Sequence, residues 1–420
     1  MAAPTLSRDE EVVGVLDIGS SKIACVIVAR RRAPRDRAPA EPRALGLGLV
    51  RARGVRAGLI TSVDEAEIAI RSAIAEAERS AGIKLETVRA GTTAGRLTAE
   101  RFSASADVAT GAVSHDDLRR LHAGAARYAE RGGRTPLSLV HESYALDGTP
   151  VTGPIFAARG DKLACSFDSV TGDADAIRLV TIAIERSLVS VDALMPSPAA
   201  SGAAVTTRVE AHDGVIVADF GAETISFAGL SGGRLVTCGA VATGGKHVSL
   251  DLARALRTTE ADAERVKVLK GTLLAAGGGD LISVPAADAG SGPPKLVPRS
   301  EVSAIIAKRL NRQLTLLAEQ IAGGPFAKAA DVPVVITGGA SGIPGLGFIA
   351  ANILARPVRV VHVPNAGVSG LDADTLPVLS SALGLVAVRP SPSRLPLSGP
   401  LAPGGRGYMS RLHDWVQASF

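Results

Sequence analysis

Cysteine, aromatic rings and long apolar runs are all scarce in this chain. Three cysteines, Cys25, Cys165 and Cys238, stand far apart in 420 residues. They offer no disulfide framework and no metal-ligand spacing, which fits a reducing compartment. Aromatic residues make up 3% of the chain, and the formal charge is only +5. With basic residues dispersed and few rings to stack on bases, nucleic acid is not expected as a partner. The cluster Arg30-Arg31-Arg32, with Arg35 and Arg37, sits among Pro and Ala and reads as a solvated loop. No apolar run is long enough to span a bilayer. The stretch Met1 to Glu11 lacks a signal-peptide core, so a cytoplasmic protein is expected. The histidines show no ligand spacing, and His115, His122, His141, His212 and His362 read as surface or cap residues.

What the chain does contain is one phrase written twice. Val12-Val13-Gly14-Val15-Leu16-Asp17-Ile18-Gly19-Ser20-Ser21 is matched by Gly214-Val215-Ile216-Val217-Ala218-Asp219-Phe220-Gly221-Ala222-Glu223-Thr224. Each copy is an apolar run, Asp-x-Gly, small or hydroxyl residues and a second apolar run, which predicts strand, tight turn, strand. Glycine lets such a turn approach a ligand closely, and successive N–H groups suit phosphate. Ser20, Ser21 and Thr224 add hydroxyls. The aspartates would repel phosphate directly but can hold Mg²⁺ or its water shell. Two turns, one per half, would clamp a nucleoside polyphosphate.

Two other glycine motifs lead elsewhere. Gly229-Leu230-Ser231-Gly232-Gly233 matches a nucleophile elbow, but Arg234 to Thr237 continues as a strand where that motif needs a helix. Gly244-Gly245-Lys246-His247 lacks the first glycine and the final Ser/Thr of a P-loop.

The remaining pattern gives the organisation. Strands are expected at 12–29 and 44–50, and a helix from Ser62 to Ala81. Residues 84–165 change character, with strands near Val88–Gly91 and Leu137–Tyr144 around a helix starting near Ser114. Helices follow over Ala174–Val189, Val248–Leu256, Ala263–Lys267, Ser300–Ala322 and Leu346–Leu354, with a strand at Val332–Thr337. Residues 275–298 read as a long loop and 389–405 as a Pro-, Ser- and Gly-rich linker. In the last segment, 406–420, Met409, Leu412, Trp415, Val416 and Phe420 form one apolar stripe. That stripe suits a membrane surface.

The order of elements resembles the actin, Hsp70 and sugar-kinase superfamily, and within it the bacterial cell-division family FtsA. The residues that carry the resemblance are Leu16 to Lys22, Asp219-Phe220-Gly221, Gly244-Gly245, Ala263-Glu264 with Lys267, and Thr337-Gly338-Gly339. It covers about 12–388 and the terminal helix. It implies an α/β, actin-like fold of two ribonuclease-H-like lobes with an α+β subdomain inserted in the first. The expected parts are a first lobe at 12–83 and 166–208, the inserted subdomain at 84–165, and a second lobe at 209–375 with its outer subdomain at about 245–330. Residues 376–388 return to the first lobe, and 406–420 target the membrane.

The resemblance further implies ATP with Mg²⁺ between the lobes. The nucleotide would be held by Asp17, Gly19, Ser20, Ser21, Lys22, Asp219, Gly221, Thr224, Gly244, Gly245, Gly338 and Gly339, with Glu264 and Lys267 near the nucleoside. Asp17 and Asp219 would hold the metal through water. It implies filaments of the chain itself, binding to the tubulin-like protein FtsZ and to an anionic or zwitterionic membrane surface, and recruitment of later division proteins. The location would be the inner face of the cytoplasmic membrane at the division site, and any ATPase activity would be slow. One departure stands out. The family's second turn is usually richer in glycine, whereas Ala222 and Glu223 stand here, and a carboxylate beside a polyphosphate is repulsive unless a cation offsets it. Two alternatives share the fold: a scaffold of a pilus or microcompartment system, and a sugar-kinase-type phosphotransferase, for which no catalytic carboxylate stands out.

Overall fold

The repeated phrase folds into two sheets of the same design. The computed structural model describes residues 7, 9–31, 41–274, 280–286, 294–362 and 367–387. The expected linker at 389–405 and the expected membrane-targeting segment at 406–420, with Met409, Leu412, Trp415, Val416 and Phe420, lie outside the described residues.

The first lobe opens with β1 (Glu10–Ile18), β2 (Lys22–Arg31), β3 (Arg43–Arg51), a short hairpin of β4 (Val55–Arg56) and β5 (Leu59–Ile60), then α1 (Val63–Ala81) and β6 (Thr87–Thr92). α1 starts where Ser62 accepts the Glu65 N–H and Asp64 and Glu65 meet the positive helix end. It stops at Gly82, whose φ of 65° is left-handed. Its small face, Ala66, Ala69, Ala73 and Ala77, lies so close to β3 that a Cβ on Gly48 would stand 1.9 Å from the Ala73 oxygen.

The inserted subdomain comprises β7 (Thr98–Asp107), α2 (His115–Ala129), β8 (Arg134–Leu146), β9 (Thr149–Pro150) and β10 (Lys162–Asp173). They form one antiparallel sheet in the order β7-β10-β8-β9, with its own core of Leu118, Leu121, Leu139, Leu163 and Phe167. The boundaries therefore differ from 84–165. β6 pairs in parallel with β1 and is buried from Val88 to Thr92, so it belongs to the first lobe. Its apolar run resembles an insert strand in sequence, but burial on both faces marks a central parallel strand. At the other end β10 continues to Asp173.

α3 (Ala174–Glu185) and β11 (Ser190–Pro196) complete the first sheet, in the order β11-β6-β1-β2-β3. The helix ends four residues before Val189 because Ser190 already pairs with Thr87. α4 (Ser197–Val205) and α5 (Arg208–Asp213) cross to the second lobe. There β12 (Val215–Phe220), β13 (Ile225–Ser231) and β14 (Arg234–Val241) are followed by α6 (Gly245–Leu256), α7 (Glu260–Lys270), β15 (Leu281–Val284), β16 (Lys295–Pro298) and α8 (Arg299–Ala322). β17 (Val334–Thr337), α9 (Leu346–Leu354), β18 (Val358–Val360) and α10 (Ser380–Ala387) end the described chain.

The second sheet runs β18-β17-β12-β13-β14, strand for strand the order of the first. Part of the stretch 275–298 is not loop: β15 and β16 pair, with Ile282, Val284 and Val297 buried. These strands are four residues each, too short for their alternation to show beside so much Gly and Pro. The β13–β14 hairpin also reaches the inserted subdomain. Arg234 pairs with Glu142 and lies 3.6 Å from Asp168, so the insert's contacts are not confined to the first lobe.

α10 crosses α4 at the junction of the lobes. A Cβ on Gly384 would stand 1.7 Å from the Ala200 oxygen. Gly384→Ala should force these helices apart and lower stability by about 2–3 kcal/mol or more. Thermal melting checks this, and an unchanged transition would show that the helices do not need the contact.

Candidate functional site

Two four-residue turns end the paired strands, and both are closed by the same bond. The Gly19 N–H donates to the Lys22 oxygen at 3.0 Å, and the Gly221 N–H donates to the Thr224 oxygen at 2.9 Å. A third turn closes over the second. Gly338 has φ +97°, and a Cβ there would stand 2.2 Å from Asp219 Oδ1. The Ala340 N–H donates to the Phe220 oxygen at 2.9 Å and fixes this turn against β12.

The turns line one cavity of about 80 Å³ between the lobes. Asp17, Gly19, Ser20, Ser21, Lys22, Asp219, Gly221, Thr224, Gly338 and Gly339 all face it, joined by Gly58, Thr93, Ser197 and Ala222. Gly58, Thr93 and Ser197 were missed in the sequence, because each comes from an element with no motif of its own. Ligand pockets of drug-like size span about 300–1,000 Å³. This one matches phosphate-sized groups.

Gly244, Gly245, Glu264 and Lys267 stand one layer behind. The N–H groups of Gly245 and Lys246, at the start of α6, donate to the oxygens of Gly221 and Ala222 at 2.9 and 2.8 Å. The helix N-terminus thus braces the second turn instead of presenting donors to the cavity. α6 begins three residues before Val248, since His247 Nδ1 accepts the Gly244 N–H and caps it. Lys267 is buried and donates to the Gly245 oxygen at 3.1 Å and to Glu264 at 2.7 Å. Gln313 on α8 donates to Thr243 Oγ1 and the Gly244 oxygen, at 3.0 and 2.9 Å. Nothing in the sequence marks Gln313, one polar residue in an amphipathic helix.

Electrostatics distinguish the aspartates. Asp219 is half-buried at the cavity wall and accepts from Ser201 Oγ on α4. Burial, with Asp17 nearby, raises its pKa above the usual carboxylate range. Among the described residues no three His, Cys, Asp or Glu converge as a metal site. A cation here would have two carboxylates, with water or phosphate oxygens completing its shell. That donor set fits Mg²⁺, which keeps several waters.

Glu223 turns toward the rim. Its carboxylate accepts from Lys246 Nζ at 2.8 Å and from the Ala57 N–H of the first lobe at 2.8 Å. Burial opposes its charge, but these two donors overcome burial and hold its pKa below the usual value.

His122 is not a surface residue. It is buried, bonds Tyr144 Oη at 2.9 Å, and burial pushes its pKa down to about 3. Ser231 ends β13 at a hairpin through Gly232 and Gly233, both at positive φ, so no nucleophile elbow forms. All three thiols are buried, which pushes each pKa up to about 12. A larger cavity, about 410 Å³, lies among the inserted subdomain, α4 and the β13–β14 hairpin, and is lined mainly by apolar residues such as Leu137, Val170 and Leu230.

A family model described as "Cell division protein FtsA" matches residues 216–384. The chain is 34% identical over 432 aligned residues to the cell division protein FtsA of Rhizobium meliloti, covering 99% of this chain and 97% of the relative. The FtsA of Neisseria meningitidis is 28% identical over 99% of this chain and all of its own length. Among solved structures, a PilM-PilN type IV pilus biogenesis complex aligns with TM-score 0.59 at 17% identity, over 90% of this chain and 99% of that one. A MamK double helical filament aligns at 0.51 and 14%, over 90% and 99%. MreB5 of Spiroplasma citri bound to ADP aligns at 0.50 and 12%, over 89% and 94%. The fold is actin-like.

The raised pKa of Asp219 gives a stability prediction. Its folded pKa is raised, so the ionised form is disfavoured on folding, and the penalty is present at neutral pH and vanishes as pH falls through the folded pKa. Asp219→Asn keeps the acceptor for Ser201 and removes the charge. Its melting temperature should rise at neutral pH, with the gain shrinking toward acid pH. A lower melting temperature at neutral pH would show that the charge is compensated in place.

Proposed function

The chain belongs to the FtsA family of cell-division proteins, and from that premise we propose that it binds ATP·Mg²⁺ between its lobes, polymerises, and tethers FtsZ filaments to the membrane. The observation that carries the nucleotide reading is the pair of matching turns that put Asp17 and Asp219 into one cavity. In this reading the N–H groups and hydroxyls of Ser20, Ser21 and Thr224 take the phosphates. Asp17 and Asp219 hold the metal's water shell, and the metal supplies charge neutralisation at the phosphates. Lys267 and Glu264, fixed behind Gly245, stand on the nucleoside side. The MreB5 homologue bound to ADP supports a nucleotide in a fold of this kind. Turnover is slow, because the cavity's carboxylates are the two assigned to the metal.

The filament reading draws on the family and on the fold shared with a MamK filament. FtsZ recruitment through the outer subdomain, engagement of later division proteins by the inserted one, and a place at the division site on the inner membrane face follow from the family alone. A scaffold for pili shares the fold, but the full-length relatives carry the division name. No described helix is long and apolar enough to cross a membrane. Contact with lipid is assigned to the stripe of Met409, Leu412, Trp415, Val416 and Phe420.

Calorimetry with ATP and Mg²⁺ tests the cleft. Asp17→Ala should abolish the Mg²⁺-dependent part of the affinity, and unchanged binding would refute the assignment. The tail is tested by co-sedimentation. Each apolar side chain gains about 1.5–3 kcal/mol only on full burial, and interfacial burial is partial. Arg406 and Arg411 are partly offset by Asp414. A single helix should bind weakly and a filament firmly, through avidity. Truncation after Gly405 should remove liposome binding while ATP and FtsZ binding persist. If the truncated protein still pellets with liposomes, the lipid contact lies elsewhere.

A further inference from the structure

We propose that Glu223 is a positioning residue that latches the rim of the cleft, so that its release sets how fast nucleotide enters and leaves. The inference rests on the nucleotide reading above.

The latch is a short chain of bonds between the lobes. In the second lobe, Lys246 at the start of α6 donates to one carboxylate oxygen of Glu223 at 2.8 Å. The other oxygen accepts the Ala57 N–H, from the β4–β5 turn of the first lobe, at 2.8 Å. The next residue in that turn, Gly58, donates its N–H to Ser20 Oγ at 3.1 Å and lines the cavity. One hairpin thus ties the second phosphate turn, through Glu223, to the first, through Ser20.

The hairpin is built for this at some cost. Ala57 and Gly58 have φ of +46° and +78°, the pair of positive values that a tight two-residue hairpin demands. An alanine adopts that conformation reluctantly, and neighbouring bonds must hold it there. Glu223 supplies one such bond, with a side chain 12% exposed and an ammonium within reach. A nucleotide passes into the cavity behind it, about 80 Å³, when the lobes part. Parting them separates Glu223 from Ala57. A bond made in the closed cleft and broken in the open one raises the barrier to passage in both directions. It leaves affinity nearly unchanged where the closed form recurs with ligand bound.

The experiment uses the full chain, a fluorescent ATP analogue with Mg²⁺, and stopped-flow mixing. Glu223→Ala should raise both the association and the dissociation rate constants about tenfold, since hydrogen bonds to charged groups are worth about that factor or more. The dissociation constant should move by less than about threefold. Glu223→Gln keeps an acceptor for the Ala57 N–H and should fall between wild type and Ala; it also carries the test if the Ala variant fails to fold. Hydrogen exchange over residues 55–60, without nucleotide, should speed up in Glu223→Ala. Unchanged rates, or an affinity change carried by one rate alone, overturn the latch. A wild-type chain that binds no analogue refutes the nucleotide reading and the rate claim with it. Exchange at Ala57 then still decides whether Glu223 bridges the lobes in solution.

Discussion

The crossing of α4 and α10 is the constraint from which the cleft follows. Both helices are made of small residues where they touch, and Gly384 lies against the Ala200 backbone. At the first lobe they meet over Gly91, where a Cβ would stand 2.8 Å from Ser197 Oγ and 3.3 Å from Ser381 Oγ. Gly91 is the parallel partner of Asp17. At the second lobe each helix donates to or pairs with a site strand: Ser201 on α4 donates to Asp219, and Ser380 on α10 pairs with Thr337 at 2.8 Å. The same two helices that join the lobes thus fix the floor on which both aspartates sit. Interiors this tightly packed do not deform continuously, so the crossing is the rigid junction that sets how the two turns face each other.

The legibility of the sequence follows from this duplication. An Asp-x-Gly turn read once is weak, but its recurrence with apolar runs on both sides let the cavity-lining turns be read from residues alone, while the actin-like fold was legible only through the family resemblance that these turns carry. What escaped was whatever depends on a partner distant in sequence. β6 looked like part of the insert because parallel pairing with β1 and β11 leaves no local mark. The β15–β16 pair was hidden by short strands in a Gly- and Pro-rich stretch. His122 was misread because nothing local says that α2 turns that ring toward Tyr144 and the core. Gly58, Thr93 and Ser197 reach the cavity only because three separate elements converge.

The glycine pair at 244–245 shows how a residue can serve a site without facing it. A Cβ at Gly244 would stand 2.5 Å from the Gly221 oxygen, and one at Gly245 2.6 Å from the Ala340 Cβ. The approach of α6 to two turns requires glycine there. Lys267 makes the same point with a charge. A buried ammonium is costly unless paired and hydrogen-bonded. Here Glu264 and the Gly245 oxygen meet both conditions, so the lysine locks α7 to the start of α6.

The departure at Ala222 and Glu223 fits the same logic. Repulsion between a carboxylate and a polyphosphate depends on where the carboxylate points, and Glu223 points to Lys246 and across to Ala57. Ala222 keeps the role that matters in the turn, since its oxygen receives the Lys246 N–H. One lysine therefore braces the turn with its backbone and neutralises the neighbouring acid with its side chain. The two halves share a turn but not its setting. The first turn is tied to a strained surface hairpin through Ser20, the second to a helix that is itself held by Gln313 and Lys267. Opening of the cleft should be carried by the first-lobe rim, where the ties are fewest, while the second turn keeps its shape.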